Sequence, residues 1–290
     1  MRQKTTIADY AVHFVLLLTA LIMILPFYNV VIQSFATPAA IAKQPLYLIP
    51  TVVDFSSYSL IFKGHEVWDS LQVSLIVTLV GTLANMLITV TGAYALTKKN
   101  VPGNKIFIFL VIFQMLFHGG IVPTYLAIKD YHLLDNVFAM ILPVAVNTYY
   151  LIIMMSYFRN VPEALEEAGR IDGANDIQIL LRIILPISVP TLAAITLFYA
   201  VDRWNEWWNA MIYIQDSAKF PLQLFLRQML SDVSQAMNSE LAADFTSSAN
   251  VFTNGVKMAM VIISAVPIMI VYPWLQRYFT SGVMLGAVKE

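Results

Sequence analysis

One stretch of the sequence, DRWNEWWNA at 202–210, places carboxylates, amides and indole rings next to one another. The polar members have the spacing i, i+3, i+4 and i+7 of one helix face, and they are Asp202, Asn205, Glu206 and Asn209. The aromatic members of the adjoining face are Trp204, Trp207 and Trp208. Hydrogen-bonding groups beside flat aromatic faces are suited to binding carbohydrate. The alternative interpretation is a belt of tryptophans at a membrane surface, although a belt alone does not need the neighbouring acids and amides.

Polar residues inside other apolar stretches are weaker candidates for the same ligand path. They are Asn85, Gln114, Asn147, Tyr149 and Tyr150. Polar side chains in membrane helices often only hydrogen-bond to neighbouring helices, so this structural interpretation stays open beside the functional one.

The sequence contains few of the residue patterns that catalysis or metal binding requires. The chain has no cysteine, and its four histidines are scattered, without the H-x-x-x-H spacing of a metal site. It also lacks the G-x-x-x-x-G-K-[ST] phosphate loop and the H-E-x-x-H and G-x-S-x-G patterns of hydrolases. We therefore expect no enzyme activity and no metal or cofactor on this chain, and its energy source must be another polypeptide or an ion gradient.

The composition indicates a membrane protein. Of the 290 residues, 59% are hydrophobic and 12% are charged, and the mean hydropathy is +0.70. A soluble domain of this size could not bury so much apolar surface, and the net charge of -1 gives no electrostatic basis for nucleic-acid binding. Six stretches supply the roughly 20 apolar residues that cross a bilayer. These predicted spans are 11–35, 69–97, 105–127, 136–158, 183–210 and 256–279.

Proline lies inside or at an end of most of these spans, which predicts kinked helices or only reflects the general frequency of proline in membrane helices. The distribution of Lys and Arg predicts that both termini are cytoplasmic, and its clearest anchor is KKNVPGNK at 98–105. The outer segments are then 36–68, 128–135 and 211–255. In the last of these, the apolar spacing between Leu222 and Val233 predicts an amphipathic helix, at the membrane surface or under a soluble partner.

The predicted cytoplasmic loop at 159–186 carries its own helix signals. Asn160 can cap a first helix, and Gly173 suits a left-handed helix end. Asn175 or Asp176 can then cap a second helix that leads into the fifth span. From composition alone this is an ordinary solvated loop, although small residues in its first helix would let another backbone approach closely.

The same loop resembles the EAA signature of binding-protein-dependent permeases: E-A-A, three residues, Gly, nine residues, then I-x-L-P. The matching positions are Glu167, Ala168, Gly169, Gly173, Ile183, Leu185 and Pro186. Gly169 departs from the pattern, because it stands where the signature has a second alanine. By this resemblance the chain is identified as a member of the maltose type of ABC sugar importer permeases. The resemblance implies an all-α polytopic fold, the type I importer permease fold, with about six transmembrane helices.

In that family the EAA loop is the coupling helix, which sits in a groove of the ATPase subunit. The resemblance therefore implies coupling roles for Glu163, Glu166, Glu167, Ala168, Gly169, Asp172, Gly173, Ile183, Leu185 and Pro186. It also implies a second, different permease subunit, two ATPase subunits that hold ATP and Mg, and an extracytoplasmic sugar-binding protein. We expect the small residues Ala168 and Gly169 to allow the close approach of the ATPase.

Further stretches are similar to the same family, and they extend the resemblance over nearly the whole chain, as one transmembrane domain at 1–290 with a core at 69–279. These stretches are 48–62, 119–136, 220–230 and 277–290. The two middle stretches resemble a subgroup associated with large or charged oligosaccharides, which implies an oligosaccharide as the transported sugar.

An ion-coupled secondary transporter is the alternative function. Such transporters usually need buried acids within their spans, whereas Asp and Glu in this sequence cluster in loops and at helix ends. The pattern favours the ATP-driven importer.

Overall fold

The computed structural model describes residues 7–37, 53–117, 119–238, 255–271 and 273. Within these ranges the regular structure is helical, apart from an isolated antiparallel bridge between Ala36 and Val53. The predicted all-α fold is therefore confirmed for this part of the chain. The predictions for the tail at 277–290 and for the end of the sixth span lie outside the described residues.

Contacts between Cα atoms divide the chain into two compact units. The first unit joins Met1–His65 to Leu226–Pro267, and the second joins Glu66–Phe225 to Ile268–Glu290. A single membrane domain over the whole chain stays a prediction.

The first unit begins with the long apolar helix α1, Ile7–Ser34, followed by the short helix α2, Ser56–Lys63. Asp9–Ser34 is long and apolar enough to cross a membrane, in agreement with the first predicted span. The end of α1 contacts α2 through a hydrogen bond of 2.8 Å between the hydroxyls of Ser34 and Tyr58. The ring of Phe35 also stacks on Tyr58 at 4.9 Å, so polar and aromatic contacts together hold α2 in place.

The second unit contains most of the remaining helices, and the last two helices that the structure describes have residues assigned to both units. In chain order they are α3, Glu66–Thr97; α4, Asn104–Leu116; α5, Ile121–Asp130; α6, Thr148–Arg159; α7, Glu163–Ile171; α8, Asp176–Ile187; α9, Val189–Trp204; α10, Trp208–Tyr213; α11, Leu222–Asn238; and α12, Gly255–Val271. The predicted amphipathic helix after Pro221 is confirmed as α11.

Three of the predicted spans are bent rather than straight. The angles are 117° between Asn104–Leu116 and Ile121–Asp130, 52° between Val137–Val144 and Thr148–Arg159, and 87° between Asp176–Ile187 and Val189–Trp204. The described residues thus contain 2 continuous spans, α1 and α3, or up to 5 if each bent pair counts as one. Gly120 at the first bend has a φ of +87°, which a residue with a side chain rarely adopts. At the second bend, the Asn147 side chain accepts hydrogen bonds from the first amides of α6.

Helix α3 lies at the centre of the second unit, where it packs chiefly against α9 and α6. Their shared core contains Tyr94, Met154, Ile184, Ile195 and Tyr199, all buried. On another face of α3, Leu79, Leu83 and Leu87 are exposed at the spacing of one helix stripe. A helix with both faces apolar is suited to contact protein on one side and lipid or another subunit on the other.

A polar clip joins the loop after α5 to the loop after α10. Asp135 Oδ2 accepts a hydrogen bond from Lys219 Nζ at 2.7 Å. Its Oδ1 accepts from the backbone amides of Asp216 at 3.0 Å and Gln215 at 3.1 Å. These contacts, first of all the one with Lys219, lower the pKa of the Asp135 carboxyl to about 2 from an ordinary 3.8.

The lowered pKa of Asp135 leads to a prediction about stability in acid. Because the folded pKa of Asp135 lies below its unfolded value, the clip stabilises the fold fully above about pH 4, and this stabilisation is lost as the pH falls towards about 2. In Asp135→Asn the amide oxygen keeps the backbone contacts but loses the charge facing Lys219. We expect the variant to melt below wild type at neutral pH and to converge with it on acidification, as measured by thermal unfolding of the purified complex. A constant difference down to pH 3 would contradict this assignment.

Candidate functional site

The backbone of the loop at 159–186 forms two helices joined by a sharp turn. Asn160 directly follows the last residue of α6, and α7 starts after Pro162 without a side-chain cap, so the predicted capping of α7 by Asn160 is wrong. The left-handed end at Gly173 is confirmed, with a φ of +80°. The amide of Gly173 donates to Arg170 O at 3.0 Å and that of Ala174 to Gly169 O at 2.9 Å, which closes the end of α7.

Helix α8 begins with a capping box and ends in an elbow. Asn175 Oδ1 accepts from the amide of Gln178 at 2.9 Å, and Gln178 Oε1 accepts from the amide of Asn175 at 2.9 Å. The middle of the helix, Leu180–Ile184, is a π-helical turn. At the elbow, the buried Ser188 hydroxyl donates to Ile184 O at 2.7 Å. Ile184 O also accepts a hydrogen bond from the amide of Ser188 at 3.0 Å, so both polar groups of Ser188 hold the elbow to the end of α8.

The inner face of α7 packs against α8. Gly169 is buried, and a Cβ at this position would lie 2.8 Å from Ile183 Cδ1 and 3.3 Å from Ile179 Cγ1. The sequence suggested that Gly169 would allow a partner to approach. In the structure its small size instead allows α7 to approach α8, because Gly169 points into the chain's own packing.

The acidic first turn of α7 contacts the turn after α3. Glu166 pairs with Lys98, and Glu163 Oε1 accepts a hydrogen bond from Lys99 Nζ at 2.9 Å. The Lys99 contact lowers the pKa of the Glu163 carboxyl below its ordinary value. The exposed ion pair between Arg170 and Asp176, at 3.2 Å, joins α7 to α8. The sequence analysis placed 98–105 and this loop on the same side of the membrane and assigned no ion pair between them.

The outer face of α7 is open in the structure. Glu167 and Ala168 are exposed, and Ile171 exposes 86% of its surface. Asp172 and Gly173 at the end of the helix are exposed as well. Of the remaining motif residues, Ile183 and Leu185 are half-buried in α8 and Pro186 is exposed at its end. Within the part of the chain that the structure describes, the residues of this face make no contact that would prevent a partner from approaching α7.

The stretch at 202–210 is not one continuous helix. Helix α9 ends at Trp204 and α10 begins at Trp208, so the predicted polar stripe is divided. Trp204 and Glu206 are buried, whereas Asp202, Asn205 and Trp208 are exposed. Trp207 and Asn209 are half-buried. Only part of the predicted set therefore lies on one accessible surface.

A buried ion pair lies at this break. The side chains of Arg203 and Glu206 are 8% and 5% exposed and their charged atoms are 3.4 Å apart. Arg203 Nη1 donates to Met140 O at 3.0 Å, and the Glu206 carboxylate accepts from the amide and the side chain of Asn209 at 2.9 Å each. A Cβ at Gly81 of α3 would lie 3.0 Å from Arg203 Cδ. The pair thus fixes α9, α10 and the segment before α6 against α3.

A second polar cluster joins α3, α6 and α9 at the bend of the fourth span. The Tyr199 hydroxyl lies 2.7 Å from Thr89 Oγ1 and accepts from the amide of Asn147 at 3.0 Å. Towards the surface, the Tyr150 hydroxyl donates to Asp202 Oδ2 at 3.1 Å. The sequence analysis identified Asn147, Tyr150 and Asp202 and missed Thr89 and Tyr199. Neither of these two gives a signal alone, because the hydrogen bond between them forms only when α3 packs against α9.

The other weak candidates hold helices together. Asn85 is buried and donates to Val144 O at 3.4 Å, and Gln114 Oε1 accepts from the Thr148 hydroxyl. Tyr149 is exposed beside Tyr150.

Comparison with known proteins identifies the family. Residues 99–284 match the family described as binding-protein-dependent transport system inner membrane component. The chain belongs to this family. The permease is 40% identical, over 99% of each chain, to the polygalacturonan/rhamnogalacturonan transport system permease protein YtcP of Bacillus subtilis (strain 168). It is 42% identical to Protein LplC of the same organism, over 92% of this chain and 90% of that one.

A solved structure has the same fold. It is described as the crystal structure of a bacterial ABC transporter involved in the import of the acidic polysaccharide alginate. The two chains are 33% identical and superpose with a TM-score of 0.83, over 95% of the permease and 99% of the other chain. The permease is therefore an inner-membrane transport subunit of an ABC importer with the type I fold. The comparisons give no support to the ion-coupled alternative.

Proposed function

We propose that the permease couples ATP hydrolysis on a partner subunit to the import of an oligosaccharide, with the outer face of α7 as the docking surface for the ATPase. The observation that carries this proposal is the exposure of Glu167, Ala168 and Ile171 on a helix whose other face is occupied by α8 and by Lys98. Glu163 and Glu166 contact lysines of the same chain. We therefore propose that they hold α7 in place and do not belong to the docking surface.

The remaining parts of the proposal follow the resemblance to the family. We place the second permease subunit beside this one in a heterodimer, two ATPase subunits with ATP and Mg on the cytoplasmic side, and a sugar-binding protein outside. Both termini are then cytoplasmic. The Lys and Arg distribution supports this orientation, because short segments rich in Lys, such as the one with Lys98 and Lys99, are typical of the cytoplasmic side. In this orientation α7 lies on the inner side as well.

For the substrate, we propose an oligosaccharide from an acidic polysaccharide. The relative YtcP is named for polygalacturonan and rhamnogalacturonan transport, and the solved transporter is described as importing the acidic polysaccharide alginate. The accessible candidates for the sugar path are Tyr150, Asp202, Asn205 and Trp208. The buried Trp204 and Glu206, the helix-capping Asn147, and Asn209, whose amide donates to Glu206, shape the surface behind them.

A charge reversal at Glu167 tests the proposal. If Glu167 meets a cationic group in the ATPase groove, Glu167→Lys breaks a desolvated ion pair from one side, which typically costs about 3–5 kcal/mol. We expect the ATPase to be lost from the purified complex, or its stimulation by binding protein and oligogalacturonate to fall to the basal rate. The matched control is Asp130→Lys, which also replaces a carboxylate by lysine, at an exposed position on α5. Wild-type stimulation and uptake in Glu167→Lys would contradict docking on this face.

A further inference from the structure

The turn after α3 holds α7 by two ion pairs of very different exposure. The side chains of Lys98 and Glu166 are 18% and 20% exposed, whereas those of Lys99 and Glu163 are 84% and 78% exposed. Water and salt screen an exposed pair and leave it with little net effect. The firm electrostatic contact between this turn and α7 is therefore the Lys98–Glu166 pair.

Lys98 is also fixed to the end of α3. Its Nζ lies 4.0 Å from the centroid of the Tyr94 ring, and Tyr94 is buried with its ring edge-on to Phe158 of α6 at 6.4 Å. The Asn104 side chain donates to Leu96 O at 3.1 Å and to Lys98 O at 2.6 Å. Because the turn is bonded in this way to the last residues of α3, a displacement of Lys98 is a displacement of the helix end.

Helix α3 continues from this point to the polar cluster at the bend of the fourth span. Thr89, which is hydrogen-bonded to Tyr199, lies about 14 Å along the helix from Lys98 at a rise of 1.5 Å per residue. The Tyr199 hydroxyl in turn holds the Asn147 amide at the start of α6. A contiguous set of packed and hydrogen-bonded groups thus runs from α7 through α3 to the surface that carries Tyr150 and Asp202.

We infer that Lys98, through its ion pair with Glu166, is a positioning residue that transmits movement of α7 to α3. This inference rests on the proposed function, in which the ATPase docks on the opposite face of α7. The elbow between α8 and α9 connects α7 to the fifth span through the backbone. The Lys98–Glu166 pair supplies a second connection, to the helix that packs against both α6 and α9. Without the pair the ATPase still docks, but less of its movement reaches α3.

Neighbouring lysines provide a matched test in the assembled importer. Lys98→Met removes the half-buried pair and Lys99→Met removes the exposed one, with the same chemical change one residue apart. Glu166→Gln removes the charge of the partner without changing its shape, and Lys98→Arg keeps the charge. For each variant we would measure the ATPase that co-purifies, the basal ATPase rate, the stimulation by binding protein with oligogalacturonate, and uptake into vesicles.

We expect Lys98→Met and Glu166→Gln to keep the docked ATPase and the basal rate and to lose about fivefold in stimulation and uptake, an effect typical of coupling residues. The double variant should be no worse than either single one, and Lys98→Arg and Lys99→Met should match wild type. Wild-type stimulation in Lys98→Met and Glu166→Gln would overturn the inference, as would an equal loss in Lys99→Met. Loss of the ATPase from Lys98→Met alone would also overturn it, because the lysine would then support docking. Failure of the proposed function is distinct, since Glu167→Lys would then have no effect.

Discussion

Replacement of Arg203 by methionine is expected to destabilise the permease by about 3–5 kcal/mol, because it leaves the Glu206 carboxylate buried without its cationic partner. The loss also removes the hydrogen bond to Met140 O, which joins α9 to the segment before α6. With native stabilities of roughly 5–15 kcal/mol, such a loss lowers the yield of the assembled complex as well as its melting temperature. Detergent extraction followed by thermal unfolding measures both.

The double variant Arg203→Met/Glu206→Gln is the control for this result. It removes both charges, while the glutamine oxygen can still accept the hydrogen bond from the Asn209 amide that starts α10. Replacing both partners of a buried pair costs much less than breaking it from one side. The double variant should therefore recover much of the stability. A single variant as stable as wild type would show that the pair does not hold the break between α9 and α10.

Gly173→Val is expected to reduce oligosaccharide uptake about tenfold or more while the subunits still assemble. Gly173 has a φ of +80°, and a β-branched residue is strained there by roughly 1–3 kcal/mol, so the end of α7 should change its path into α8. Apart from the chain neighbours of Gly173, no atom of the described residues lies within 4 Å of the position that a Cβ would occupy, so the effect comes from the backbone and not from a clash.

Asparagine tolerates the left-handed region, so Gly173→Asn is the matched control. It should keep most of the uptake and of the stimulated ATPase rate. If valine and asparagine at this position were equally harmful, the requirement would be for the absence of a side chain, and the groove of the ATPase rather than the helix end would be responsible.

Local sequence signals anticipated the ends of individual helices. Gly173 predicted a left-handed helix end, and either Asn175 or Asp176 was expected to cap the next helix, which Asn175 does. Both signals depend on interactions within a few residues of the chain. The first two spans were equally clear, since long apolar runs have no alternative to burial in lipid. The prediction for Asn160 was wrong because a residue that caps the start of one helix and a residue that follows the end of another look alike without knowledge of where α6 ends.

The contacts of the site could not be read from the sequence in the same way. Glu166 and Lys98 are 68 positions apart, and only the packing of α3 against α6 brings their segments together. A hint was available, because two adjacent lysines in one predicted cytoplasmic turn face two acids at i, i+3 in the next. The buried Arg203–Glu206 pair lies at the break after Trp204, whereas the sequence analysis placed Glu206 in a continuous polar stripe and assigned no role to Arg203.

The length of α3 determines how far a small movement at one of its ends is carried. Its 32 residues extend about 48 Å, whereas the hydrocarbon core of a bilayer is about 30 Å thick. The helix is therefore longer than the core is thick, with Glu66 and Asp69 at one end and the Lys98 turn at the other. If a rigid rod of this length tilts by about 10°, one end is displaced sideways relative to the other by about 8 Å. A small tilt that begins at the Lys98 end can therefore reach the Glu66 end as a displacement of several ångströms.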